Sequence, residues 1–506
     1  MLQRLMMTRR AVLASLGIGG LSAAKRRPNV LFIAVDDLRP EFGVYGATHV
    51  HSPNMDALGR SGMVFNRAYC QMAVCNPSRA SLLTGLRPDT LKVWDLKTPF
   101  RQTTPNAVTL PQRFRENGYR TAEIGKIFHN SFPDPASYSE PDLHIDGFPF
   151  DPDAVYRSEA EVAALERRKK EITARGQQGR HIDRYGQWYL KNSATEAPDV
   201  PDNAYYDGAQ TDVAVAKLKE YGSKKEPFFF GVGYYRPHLP FNAPKKYWDL
   251  YDPKKLPLAA NPYLPKGAPL MAGNMNRELR GYQDFLNGPK PHEGSLSEAD
   301  ARHLRHGYYA SVSYTDAQIG RLLNALDSNG LRDNTIVVLW GDHGWKLGEH
   351  NGWGKMTNYE VDARVPLIVR APGYRSGQCQ GMVEFVDVYP TLCELAGIAR
   401  EPELEGRSFV PLLENPRRKG KPAVFHQFLR EGIWLAPDGV EYMGYAIRTE
   451  RHRYVEWRRW KDKTLAGREL YDVIEDPQED VNRVEESANQ GLIEELSNRL
   501  RKGWRG

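Results

Sequence analysis

Four cysteines in 506 residues, Cys70, Cys75, Cys379 and Cys393, are too few to staple a fold together. Were Cys75 consumed by chemistry, at most one disulfide could form. Cys379 with Cys393 is one option, free buried thiols the other. Charge of one sign is scarce as well: 69 Lys and Arg against 63 Asp and Glu leave +6, too little to argue for a nucleic-acid partner or an anionic membrane surface. Long apolar runs are missing, so no stretch can cross a bilayer as a helix. Internal repeats are absent.

What is present starts at the N-terminus. Thr8-Arg9-Arg10-Ala11-Val12-Leu13 leads into an apolar run that closes on Ser22-Ala23-Ala24. A basic segment, a short apolar segment and small residues make a signal peptide over residues 1–24. Its paired arginines match a twin-arginine export signal. Removal would take Arg4, Arg9 and Arg10 and no acid, turning +6 into +3. The expectation is an exported chain, periplasmic or extracellular, with no stable membrane span.

Beyond the signal, short continuous apolar runs alternate with helical stretches. Asn29 to Val35 and Thr335 to Trp340 read as strands buried on both faces. Tyr119 to Ile124, Pro227 to Gly233 and Pro366 to Val369 are also strand-like, and Tyr308 to Ser328 carries a helical apolar stripe. This order implies an α/β fold with a mostly parallel sheet sandwiched by helices, whose ligands collect at the carboxyl ends of the strands. Residues 131–210, rich in charge, proline and tyrosine, read as an insertion, either a lid or a solvated excursion, with a helix near Glu159 to Arg175. Residues 255–300 are loop-rich. The main domain spans 25–415; from 416 to 506 a smaller α+β subdomain is expected, with a hairpin (Tyr445 to Thr449, His452 to Trp457) and a helix over Leu492 to Leu500.

Two strand ends are acidic: Asp36-Asp37, and Asp342-His343. Adjacent carboxylates repel unless a cation lies between them, so two such pairs on one rim point to a metal. Between them in sequence lies Ala73-Val74-Cys75-Asn76-Pro77-Ser78-Arg79-Ala80-Ser81-Leu82-Leu83-Thr84-Gly85. Asn76 suits a helix N-cap and Pro77 the first helical position. That puts Cys75 just ahead of a helix N-terminus with Arg79 beside it, either as a lowered-pKa thiolate or as something more unusual.

The string Cys-x-Pro-Ser-Arg-x-x-Leu-Leu-Thr-Gly resembles the signature of type I, formylglycine-dependent sulfatases. Asp342 to His350 with Lys355, Gly233 to Phe241, and Asn117 to His129 resemble the iduronate-2-sulfatase branch of that family. Glu469-Leu470-Tyr471-Asp472 and Asp476-Pro477 resemble a sulfatase tail. The resemblance implies an alkaline-phosphatase-like sheet and hydrolysis of a sulfate ester on a carbohydrate. It also implies a formylglycine made from Cys75 by a formylglycine-generating enzyme. Asp36, Asp37, Asp342, His343 and modified Cys75 would hold one divalent cation, Ca2+ by family habit, although a nitrogen ligand is unusual for so hard an ion. Arg79 would steady the nucleophile and the carboxylates; Lys126, His238 and Lys355 would surround the sulfate. His129 would take a proton from the hydrate, and Lys355 or His238 would protonate the leaving oxygen. Arg236 and Trp345 flank the motifs as sugar contacts or as packing. Other readings are a phosphodiesterase or phosphonate hydrolase on the same metal cradle, or a non-catalytic glycan-binding relative.

Overall fold

The computed structural model describes residues 27–505, except 130–131, 142, 144, 146–147, 149–154, 183–187, 225 and 433–435. The expected signal segment, 1–24, lies outside them. Among the described residues no helix is long and apolar enough to cross a membrane.

All seven residues of the strand Asn29–Val35 are buried, because the strand is sandwiched on both faces. Val30, Phe32 and Ala34 enter one core, and Leu31, Ile33 and Val35 enter the other, as the two-residue repeat of a strand demands. It pairs in parallel with Phe228–Tyr234 on one side and Thr335–Gly341 on the other. The whole sheet runs Gly377–Cys379, Met63–Phe65, Leu367–Arg370, Thr335–Gly341, Asn29–Val35, Phe228–Tyr234, Arg120–Gly125. Only Leu367–Arg370 runs against the rest. The mostly parallel sheet read from the sequence is therefore present, with one reversed strand.

The helix read over Tyr308 to Ser328 extends to Glu298–Ser328, with the Ser297 hydroxyl accepting from Asp300 N at its start. In the 131–210 segment the helix Glu159–Ala174 buries a single side chain, Leu165, as a solvated excursion would. The segment's last residues rejoin the core: Thr195–Glu196 pairs with Phe241–Asn242, and the helix Tyr206–Gly222 begins with buried residues.

A second sheet, Ala423–Arg430, Tyr442–Thr449, His452–Arg459 and Leu465–Asp472, is antiparallel throughout. The helix Gln490–Lys502 packs on it through Ile493 and Leu496. Phe428, Leu429 and Met443 of this sheet pack against Met72, Val74 and Met356 of the main body. Val74 and Met356 are chain neighbours of Cys75 and Lys355, so the small subdomain backs the segments that carry both.

Candidate active site

The two acidic strand ends meet. Asp37 N donates to Asp342 Oδ1 at 3.0 Å, and Asp342 N reaches Val35 O at 3.4 Å. Asp37 holds a left-handed φ of 59°, which ends the strand and turns the chain within one residue; Asp tolerates that conformation better than most. Asp36, Asp37, Asp342 and His343 are all fully buried.

The third component is the helix Cys75–Thr84. It starts earlier than the sequence suggests: Cys75 is its first residue and Val74 caps it without a side-chain bond. The Asn76 amide instead donates to Asp95 O and Thr98 O, so its side chain is taken by a neighbouring loop and does not cap. Cys75 Sγ lies 3.4 Å from Asp36 Oδ1, 3.3 Å from His343 Nε2 and 3.9 Å from Lys126 Nζ. One helical turn on, Arg79 Nε donates to Asp342 Oδ2 at 2.8 Å and its other nitrogens to Asp36 Oδ1 and to Lys126 O. Burial, reinforced by Asp36, pushes the Cys75 thiol well up against the pull of Lys126 and Lys355.

Lys126 follows the strand Arg120–Gly125, and its ammonium donates to Asp36 Oδ2 at 2.5 Å. The approach depends on Gly233: a Cβ there would sit 2.2 Å from the Lys126 backbone carbon. Lys355 Nζ donates to Asp37 Oδ1 and Oδ2 at 2.7 and 2.9 Å. Burial works against ionisation of Asp36, yet Lys126, His238, Arg79 and Lys355 outweigh it and hold its carboxyl well below the usual range. For Asp37 burial wins and raises it. His129 is driven well below the usual histidine range by burial and then by Lys126, and its Nδ1 has no hydrogen-bond partner among the described residues. A neutral imidazole with a free nitrogen is suited to accept a proton.

Ligand atoms of Asp36, Cys75, Asp342 and His343 lie within 4.8 Å of one another. His343 Nδ1 is 3.0 Å from Gly344 O, which can only accept, so the ring hydrogen sits on Nδ1. The opposite nitrogen, Nε2, then faces Asp37 Oδ1 at 3.3 Å and Asp342 Oδ1 at 3.5 Å. Nε2, set among carboxylate oxygens, is placed to join them in coordinating a cation. The residues present fit a divalent ion.

Comparison with known proteins bears on the whole chain. Residues 28–398 match the sulfatase family model. The chain belongs to the sulfatase family. Residues 348–505 also match the C-terminal region of N-sulphoglucosamine sulphohydrolase. Iduronate 2-sulfatase of Homo sapiens is 34% identical, over 92% of this chain and 93% of its own. Among solved structures, one in complex with its substrate D-glucosamine-2-N,6-O-disulfate superposes with a TM-score of 0.74 at 22% identity, covering 95% and 98% of the two chains. The phosphonate monoester hydrolase of Agrobacterium radiobacter gives 0.70 at 25% identity, covering 95% of each. The fold is that of the alkaline phosphatase superfamily, and the chain is a sulfuric ester hydrolase.

In this sulfatase the cysteines Cys70, Cys75, Cys379 and Cys393 are all buried and free, so Cys379 and Cys393 are not bridged. Arg236 and Trp345, read as sugar contacts or as packing, are interior. Trp345 is 0% exposed and lies under Lys355, whose Nζ is 4.9 Å from the ring centroid. Arg236 is 3% exposed and donates to Asn242 O and His238 O. Both pack against the loops bearing Lys355 and His238. Two residues escaped the sequence reading. Asp207 accepts from Tyr235 N and Arg236 N and so fixes the His238 loop. Glu278 lies 2.9 Å from His238 Nε2. Neither belongs to a motif, and both sit in segments that read as insertion or loop.

Proposed function

We propose that this sulfatase hydrolyses a sulfate ester on a carbohydrate, with residue 75 acting as formylglycine. Its substrate would be a 2-O-sulfated uronic acid or a related sugar. The observation that carries the reading is the convergence of Cys75 with Asp36, Asp342 and His343 at the helix start, within reach of Arg79 and Lys126. The substrate class follows from likeness to iduronate 2-sulfatases. The chain would be exported through its paired-arginine signal and matured by a formylglycine-generating enzyme.

Asp36, Asp37, Asp342 and His343 would hold the divalent ion, Ca2+ by family habit, together with the modified residue 75. Bound there, the ion would supply positive charge against the carboxylates and acidify the attacking hydroxyl. The protein's own groups do the rest. Arg79 fixes Asp36 and Asp342 and so the position of the nucleophile. Lys126, His238 and Lys355 present positive charge around the sulfuryl group as negative charge shifts toward the leaving oxygen. One hydroxyl of the hydrated aldehyde, once ionised, attacks sulfur as the bond from sulfur to the sugar oxygen breaks, and Lys355 or His238 protonates that oxygen so that it leaves as an alcohol. His129 then takes the proton of the other, the aldehyde re-forms and sulfate departs. A serine at 75 would be left as a stable sulfate ester.

The test is the mass of the tryptic peptide Ala68–Arg79 from active protein: an aldehyde in place of the thiol is expected. Cys75→Ala is expected to fold normally and to release no sulfate. An intact thiol in fully active protein, or turnover by the alanine variant, would overturn the reading. Matched sulfate and phosphonate esters assayed side by side separate it from the phosphonate-hydrolase alternative that the Agrobacterium radiobacter likeness raises.

A further inference from the structure

His350 closes the motif that begins at Asp342, yet its ring turns to the C-terminal segment. Nε2 lies 2.8 Å from Gln478 O, and the ring centroid is 4.4 Å from that of Tyr359. Gln478 O can only accept, so the ring hydrogen sits on Nε2 and Nδ1 keeps a bare lone pair. Burial, then Lys346, pushes the imidazole down to about 3, which leaves it neutral. The residue is 3% exposed, and Nδ1 has no hydrogen-bond partner among the described residues. Asn261 repeats the pattern beside it. Its backbone oxygen accepts from His350 N at 2.9 Å, and its amide donates to Asp480 Oδ1 at 2.9 Å. Its Oδ1 is buried and likewise without a partner.

Both side chains line a cleft of about 500 Å3 between the main body and residues 477–479, a size usual for small-molecule sites. Each acid of its wall is already paired with arginine: Glu41 with Arg39, Glu349 with Arg39 and Arg305, Glu360 with Arg448 and Arg453, Glu479 with Arg453. Arg364 is also in the wall but enters no ion pair among the described residues, and its buried Nε has no hydrogen-bond partner. Arg364, Glu360 and Pro477 also line a second hollow of about 500 Å3, which Arg67 and Arg448 make cationic. No residue of the cation site lines either hollow. Buried acceptors without donors are costly, and hydroxyl groups satisfy them; an unpaired guanidinium takes a carboxylate or a sulfate.

We propose that this cleft is a second carbohydrate site, apart from the cation site, which takes an acidic sugar. Sugar hydroxyls donate to His350 Nδ1 and Asn261 Oδ1, and the carboxylate or sulfate of the sugar pairs with Arg364. Binding here needs no chemistry at residue 75.

The experiment is calorimetric titration of Cys75→Ala protein, in which residue 75 is inert, with three probes. These are the unsulfated glucuronate disaccharide of hyaluronan, sulfated lactose and lactose. At least one acidic probe is expected to bind, and which of them binds names the anion. Adding Arg364→Gln is expected to weaken that binding about tenfold and to leave lactose unaffected. Ala260→Trp, at an exposed position of the wall, is expected to block the cleft to every probe. Neither substitution should alter sulfate release by protein that retains Cys75. No binding of either acidic probe, affinities unmoved by both substitutions, or sulfate release falling together with affinity would overturn the proposal. So would a crystal soaked in the acidic disaccharide that shows water alone against His350 and Asn261.

Discussion

At the level of single residues, each acid in the site is matched by a base from a different part of the chain: Asp36 by Lys126 and Arg79, Asp37 by Lys355, Asp342 by Arg79. These pairs are buried, where losing one partner is costly. His343 Nε2 faces acceptor oxygens and the Cys75 sulfur, and a bound cation would satisfy it. Chelation is therefore expected to abolish turnover and to lower Tm, with both restored by Ca2+. At a free ion concentration a hundredfold above Kd the stabilisation is about 2.7 kcal/mol. Calorimetry of stripped and reloaded protein checks this, and an unchanged Tm would contradict it. The motif residues Cys75, Arg79, Lys126, His238 and Lys355 were legible because each stands in a recognisable string. Glu278 and Asp207 were not, because a lone carboxylate in a loop looks like any solvated acid until the loop is folded.

At the level of elements, the site hangs on where strands stop and helices start, and a neighbouring element often supplies what the local sequence does not. Ser52 precedes the helix Pro53–Ser61 yet makes no capping bond into it. Asp316, from the long helix Glu298–Ser328, accepts from Asn54 N and Met55 N in its place. Burial pushes the Asp316 carboxyl up to about 6, against the lowering effect of those N–H bonds. A carboxyl whose folded pKa exceeds its unfolded value of about 3.9 binds more protons in the native state. Its contribution to stability is therefore full below about pH 4 and falls as the pH rises through 6. Asp316→Asn cannot titrate, so its deficit relative to wild type is expected to be larger at pH 4 than at pH 7, by about 2 kcal/mol. Urea unfolding at the two pH values measures it; a pH-independent difference would refute it. The strand ends at Val35 and Gly341 could be read directly, since continuous apolar runs stop at acids. The start of the Cys75 helix could not, because Asn76 is claimed by the Asp95–Thr98 loop.

At the level of the whole molecule, the C-terminal sheet is a buttress. Phe428 is 0% exposed and packs with Met72, Val74 and Met356, beside Cys75 and Lys355. Phe428→Ala should cost about 3–5 kcal/mol. It should also lower kcat, because Val74 and Met356 lose their backing. Denaturant unfolding and turnover together check this; a destabilised variant with wild-type kcat would show that the subdomain supports the fold without supporting the site.

The sequence by itself determined the strand–helix alternation, the acidic strand ends and the signature around Cys75. These depend on local periodicity and on residue types that sit next to one another in the chain. Only the tertiary structure decided which oxygen faces which nitrogen, that Trp345 and Arg236 are interior, and that a glutamate from a loop reaches His238 and Lys355. Those facts come from segments tens to hundreds of residues apart, and no local pattern encodes a distance between them.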